Sequence, residues 1–319
     1  MYRRRTSALV ESGILAAIAV IFTFVGNYVP VLDVIVSVLW PLPIILCGRR
    51  NGLMWSILCL FVTGCVVAVL ISPLQALTQC VILGIIGLVM GYCMRRQMSP
   101  VSILWWGSVG AFVSFVLSCL AAYFIMDINV IDTFYETMNE SAAISQQVYE
   151  MLGIKGGAAQ EQIEQFQKMI GLILPAGILL SAPITAFVNY WAARRILSRL
   201  GDYYPWFPEF SLWVLPRWVL AIYGIGMVMV VYFRGNDASV WFRAGYTFFM
   251  VGNMMLLVQG LSVVKWYVIY RHKPRFWLMA AVLLSFFVPI AAQFIVVLGA
   301  FDMVGDTRKL RHLRKADKP

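Results

Sequence analysis

Charge is scarce in this sequence. Asp, Glu, Lys and Arg supply 13% of its 319 residues while 61% are hydrophobic, and so few charges cannot keep the surface of a water-soluble domain hydrated. Lipid is the solvent this composition implies. Histidine is almost missing: His272 and His312 are the whole supply, both lie among basic residues without partners at metal-ligand spacing, and no HExxH occurs. No GxxxxGK[ST] loop is present to cradle nucleotide phosphates, which excludes ATP hydrolysis by the common route. Gly305 and Asp306 lie beyond the last apolar run, too exposed for an intramembrane protease motif. The six cysteines, Cys47, Cys59, Cys65, Cys80, Cys93 and Cys119, lack CxxC spacing and are expected to be small, reduced, unpaired core residues. The reading is therefore no enzyme, with no catalytic residue, metal or cofactor.

What is present is a series of long apolar runs. A helical crossing takes roughly 20 apolar residues, and these runs are continuous rather than alternating, which argues against a barrel. The expected fold class is an all-α, polytopic transmembrane helical bundle of eight to nine spans. The spans are placed at 8–29, a short one at 34–47, then 53–72, 74–93, 101–125, 169–191, 213–233, 244–269 and 276–300. Arg3, Arg4 and Arg5 precede a run too long for a signal-peptide core and without a cleavage site, so it is expected to remain as the first helix.

The net charge of +10 does not point to nucleic acid, because the basic residues cluster at the ends of apolar runs. Clusters at 3–5, Arg49–Arg50, Arg95–Arg96, Arg194–Arg199 and Arg271–Arg275 are separated by two spans each, so all five can face the cytoplasm of a bacterial inner membrane. Trp105, Trp106, Tyr190, Trp191, Trp266, Tyr267 and Trp277 flank that face as an aromatic belt. One conflict remains: a single run of 25 residues, 276–300, separates Arg275 from the basic tail at Arg308, Lys309 and Arg311. Either nine crossings leave a basic tail outside, or one apolar run does not cross.

The segment Asp127–Lys168 carries seven acids and two lysines and belongs on the outer side. Phe134, Met138 and Ala142 recur at helical spacing, and after Gly153, Gly156 and Gly157 so do Ile163, Phe166 and Ile170, which predicts two amphipathic helices, the second running into the span at 169. Asn139–Ser141 matches a glycosylation sequon by chance.

Ionisable groups within spans are functional candidates because each costs about 2.5–3.5 kcal/mol to insert at mid-membrane. Glu11 is expected to pair with Arg3–Arg5 at the interface, and Lys265 to snorkel. Asp33 lies between Pro30 and Pro41, where irregular backbone can line a cavity. Gln75 and Gln79, with Thr78 between them, follow Pro73 and share a helix face. If that face meets Asn27 and Asp33 it forms an outward-open polar pocket; otherwise the amides are interhelical hydrogen bonds. Small residues form stripes at Ala8, Ser12, Ala16; Gly13, Ala17; Gly87, Gly91; and Gly107, Ala111, Ser114, Ser118, which permit close helix approach.

With its small-residue first helix, a short second span ending in LPIILCGRRNG and a proline-led fourth span, the region 1–195 resembles the substrate-capture (S) component of energy-coupling-factor vitamin transporters. The whole chain, with LVQGLSVV and the ending GAFDMVGDTRK, resembles the uncharacterised bacterial YybS-like membrane family, which is related to those components. The resemblance implies a six-span domain at 1–195, additional spans at 196–300 and a basic tail at 301–319. It implies docking of a transmembrane coupling subunit, with its ATPases, on Ala8, Ser12 and Ala16, and binding of an unidentified small molecule near Asp33. The other reading is a non-transporting scaffold or signalling partner of the cell envelope, suggested by the extra spans and the outer helices.

Overall fold

A computed structural model describes residues 2–151, 157–235, 239–274 and 276–308. It is all-helical, with no strand among the described residues. The helices are α1 (Tyr2–Tyr28), α2 (Pro30–Leu39), α3 (Leu42–Arg50), α4 (Leu53–Leu70), α5 (Pro73–Gln79), α6 (Ile85–Arg95), α7 (Pro100–Met126), α8 (Val130–Met151), α9 (Gly157–Arg199), α10 (Trp218–Tyr232), α11 (Val240–Tyr270), α12 (Phe276–Phe287) and α13 (Pro289–Gly305). A π-turn at Cys80–Gly84 joins α5 to α6. Proline sets many of the starts. Pro30, Pro73, Pro100 and Pro289 each open a helix, and the preceding residue is pushed out of the helical region, as at Val29 (φ −125°, ψ 86°) and Val288 (φ −123°, ψ 100°).

Among the described residues, six helical stretches are long and apolar enough to cross a membrane: Thr6–Tyr28, Leu53–Leu70, Pro73–Arg95, Pro100–Ile125, Gln165–Arg199 and Val240–Tyr270. Three of the nine expected spans come out differently. The run 34–47 is broken at Trp40–Pro41 into α2 and α3, of 10 and 9 residues. The run 213–233 yields only the 15-residue α10. The run 276–300 divides into α12 and α13, bent by 118°, because Pro289 cannot continue the helix before it.

The chain forms two compact units, Met1–Ile163 with Ile178–Trp206, and Glu164–Gly177 with Phe207–Pro319. In the first, α3 and α6 meet closely: a Cβ on Gly48 would lie 3.1 Å from the Gly91 Cα, and one on Gly87 would lie 2.8 Å from the Ile44 side chain. The Gly107, Ala111, Ser114 stripe is internal too, with Gly107 against Ala186 and Met90. The helix α8 half-buries Phe134, Met138 and Ala142, the face its spacing predicts, while Gly153 and Gly156, the burial of Gly157 and the side chain of Ile163 lie outside the described residues.

In the second unit, α10 and α11 pack through Gly226, Gly245 and Gly252, and α13 crosses α11 where Gly260 meets Gly299. The two ends of the last apolar run lie at the same end of α11. Phe276 opens α12 just after α11 finishes at Tyr270, and Arg308, past α13, bonds Ser262. Ser262 is eight residues from Tyr270, about 12 Å along a helix axis, against a bilayer core of about 30 Å. The run therefore doubles back, and of the two alternatives for the basic tail this geometry favours the one in which an apolar run does not cross. On a cysteine-free background, Arg271→Cys and Asp306→Cys are expected to react with an impermeant thiol reagent from the same side of the membrane. Glu140→Cys and Arg95→Cys are expected to react from opposite sides. Labelling of Arg271→Cys and Asp306→Cys from opposite sides would restore the external tail.

Candidate functional site

At the end of the first unit that carries α8's attachment, three helices contribute polar side chains to one cluster. Trp40 Nε1 donates to Thr23 Oγ1 at 3.0 Å, and Thr23 Oγ1 donates to Gln79 Oε1 at 2.9 Å. One turn along, Gln75 Nε2 donates to Asn27 Oδ1 at 2.9 Å. Asp33 belongs to the same neighbourhood, since a Cβ on Gly26 would lie 2.9 Å from its Oδ1. Of the expected residues, Asn27 and Gln75 are thus bonded to each other, Gln79 lies one turn along from Gln75 on α5, and Asp33 packs beside Gly26. Thr78 is not joined to them, for its hydroxyl is spent on the Leu74 and Gln75 carbonyls of its own helix.

Local chemistry explains this placement. Ser72 caps α5 by accepting from the Gln75 N–H, which fixes the start of the helix, and the 75/79 spacing then aims both amides at α1. The π-turn begins at Cys80, directly after Gln79; such turns are enriched at functional sites. Thr23 and Trp40, both 1% exposed, were missed from sequence, Thr23 because it sits within an unbroken apolar run. Asp33 lies in the first turn of α2, where the helix dipole favours a carboxylate, and it is exposed, as is Asn27.

The docking stripe is a correction. Ala8, Ser12 and Ala16 are buried, and the Ser12 hydroxyl donates to the Ala8 carbonyl and lies 3.3 Å from Cys47 Sγ of α3. This face of α1 is occupied by the protein itself. Small residues at four-residue spacing suit internal and external partners equally well, so the pattern could not distinguish them. Gly13 and Ala17 of the other stripe are exposed.

Glu11 bonds Arg50 Nε at 2.9 Å; the side chains of Arg3–Arg5 lie outside the described residues, as do Arg275, Lys309, Arg311 and His312. All six cysteines are free, but only Cys47, Cys59 and Cys93 are buried. Tyr190 is no belt residue: it is buried, donates to the Pro205 carbonyl and stacks on Trp206. Lys265 lies over the Phe210 ring at 5.9 Å.

The loop after α9 is held to the arginine-bearing end of the first unit. Arg49 Nη2 bonds Asp202 Oδ1 at 2.8 Å and its guanidinium lies 5.6 Å from the centre of the Tyr204 ring. Tyr204 donates to the Met98 carbonyl, and Arg194 Nε donates to the Tyr204 carbonyl. Burial pushes the Tyr204 phenol up to about 12, against the opposing pull of Arg49, so it stays protonated and able to donate at physiological pH.

The second unit holds a buried ionic cluster. Arg308 and Asp302, 4% exposed each, pair at 2.7 Å. Arg308 also donates to the Ser211 and Trp213 carbonyls and to Ser262 Oγ. Asp302 accepts from Thr307 Oγ1 at 2.6 Å and from Gln259 Nε2 at 2.8 Å, and Gln259 Oε1 accepts from the Leu215 N–H. LVQGLSVV and GAFDMVGDTRK, remote in sequence, therefore meet around one carboxylate, and the loop before α10 closes over it.

Residues 17–303 match the family described as "Predicted membrane protein (DUF2232)". The chain belongs to that family. Within DUF2232, it is 25% identical over 310 residues to the uncharacterised protein YybS of Bacillus subtilis (strain 168), an alignment covering 94% of this chain and 97% of YybS. No solved structure matches it. This DUF2232 chain is a multi-pass integral membrane protein.

Proposed function

We propose that the protein is the substrate-capture subunit of a small-molecule transport system in a bacterial inner membrane, without enzymatic activity of its own and dependent on separate ATPase and coupling subunits. The observation that carries this reading is the cluster of Thr23, Trp40, Gln75, Gln79, Asn27 and Asp33, contributed by α1, the α2–α3 region and α5. Most of the chain is apolar, so six groups able to hydrogen-bond at one end of a bundle make a suitable receptor for a small polar ligand. Asp33 and Asn27 are exposed and would meet the ligand first, while buried Thr23 and Trp40 hold Gln79 in place. The burial of Ala8, Ser12 and Ala16 means that a coupling subunit would engage another surface.

The test begins with purification from the native membrane and identification of co-eluting small molecules. Affinity and melting temperature are then measured on Asp33→Ala, Gln75→Leu and Gln79→Leu. Loss of a charged hydrogen bond is worth about 1.5–3 kcal/mol, so Asp33→Ala is expected to weaken binding about tenfold or more with little change in melting. Unchanged affinity accompanied by lower melting in the two glutamine variants would make the cluster interhelical packing instead.

A further inference from the structure

The first unit has an open groove of about 580 Å³ near the arginine-bearing end of α1. Its lining is graded. Thr6, Ser7, Glu11 and Arg50 supply polar groups, while Val10, Ile14, Leu15, Leu46 and Leu200 supply an apolar wall. Thr6 and Ser7 lie in the turn that follows the arginines of the N-terminus, where the apolar stretch Thr6–Tyr28 begins, and Ile14 and Leu15 lie two turns further along it. Polar end and apolar wall match the two parts of a phospholipid.

The charges narrow the choice of headgroup. Arg50 forms an ion pair with Glu11, Nε lying 2.9 Å from Oε1, and among the described residues its guanidinium donates no hydrogen bond to another group. Both side chains are partly open, 40% and 26% exposed. The groove thus offers a partly open guanidinium, the Ser7 hydroxyl and a partly open carboxylate side by side. A phosphate satisfies Arg50 and Ser7 through charge-assisted hydrogen bonds, and a primary ammonium satisfies Glu11. A purely anionic headgroup would gain Arg50 but face the Glu11 charge, and a quaternary ammonium cannot donate a hydrogen bond to the carboxylate.

We infer that this groove is a binding site for a zwitterionic phospholipid with a primary ammonium, such as phosphatidylethanolamine, its headgroup spanning Arg50 and Glu11 and one acyl chain lying along Val10, Ile14, Leu15 and Leu46. The site is separate from the proposed ligand cluster and does not depend on it.

The test uses the full chain in detergent, with phosphatidylethanolamine, phosphatidylglycerol or phosphatidylcholine of the same acyl composition added at equal mole fraction. Native mass spectrometry reads lipid retained, and thermal melting reads stabilisation. Phosphatidylethanolamine is expected to be retained about tenfold better than the other two, the weight of one charged hydrogen bond. Glu11→Gln and Arg50→Gln should each abolish that preference. Because either change also breaks the ion pair, Ile14→Trp serves as a second variant: it fills the wall from an exposed position, leaves both charges in place, and should block retention without lowering the melting temperature of lipid-free protein. Equal or stronger retention of phosphatidylglycerol or phosphatidylcholine would overturn the proposal, and so would a preference that survives Ile14→Trp.

Discussion

Alanine in place of Asp302 is expected to cost the second unit about 3–5 kcal/mol, the range for removing one partner of a buried ion pair. The side chains of Arg308 and Asp302 are 0% and 3% exposed, so solvent cannot take over when one is lost. Without Asp302 the Arg308 guanidinium keeps the Ser211 and Trp213 carbonyls and Ser262, but its charge is left uncompensated. Gln259 and Thr307 lose their acceptor as well. Asp302→Asn keeps the shape and one oxygen acceptor, so an intermediate loss is expected. Removing both charges, in Asp302→Met with Arg308→Met, should recover part of the loss, because no buried charge then remains. Denaturation of the detergent-solubilised protein, followed by tryptophan fluorescence, reads these differences; Trp213 accepts from Arg308 through its carbonyl and lies at the cluster. A loss below about 1 kcal/mol for Asp302→Ala is the value typical of exposed pairs and would refute the burial on which the argument stands.

The long crossings were legible because lipid imposes a length on an apolar helix. The amphipathic helix α8 was legible for the same kind of reason: Phe134, Met138 and Ala142 share one face at helical spacing. The return of the last run was harder to read. Its length fits one crossing, and the informative residue is Pro289, which lies within an otherwise unbroken apolar stretch; the misplaced basic tail at Arg308 was the stronger signal. For the polar cluster, Asn27, Asp33, Gln75 and Gln79 stood out as polar residues near proline breaks. Thr23 and Trp40 did not, because threonine is common in spans and a tryptophan reads as belt or core. Asp302 and Gln259 lay in plain view within two distinctive stretches, yet no periodicity links positions 43 apart. Their meeting depends on how α13 crosses α11, which is a property of packing.

That crossing carries the other large effect. A methyl group on Gly260 would run into the Ile295 carbonyl oxygen, and one on Gly299 into the Leu256 carbonyl oxygen while lying 2.8 Å from the Gly260 nitrogen. These obstacles are backbone atoms of a facing helix, so no side-chain rotation can relieve them, and the helices must separate. Overpacking of this kind costs about 1–3 kcal/mol even where side chains can yield, so Gly260→Ala and Gly299→Ala are each expected at or above the upper end. Separation also pulls Asp302, one turn beyond Gly299, away from Gln259, the residue before Gly260. Gly299→Ala should therefore be non-additive with Asp302→Ala: once the carboxylate is gone, the glycine substitution has less left to disrupt. Gly13 and Gly224 give the comparison, since a Cβ at either meets nothing within 4 Å; alanine there should be neutral or stabilise by about 0.5–1 kcal/mol through helix propensity alone. Thermal melting of the four single variants and the Gly299→Ala, Asp302→Ala double variant decides the matter. If alanine at Gly260 and Gly299 melts like alanine at Gly13 and Gly224, the two helices do not cross in backbone contact, and the hairpin geometry that returns the tail to the Arg271 end of α11 falls with it.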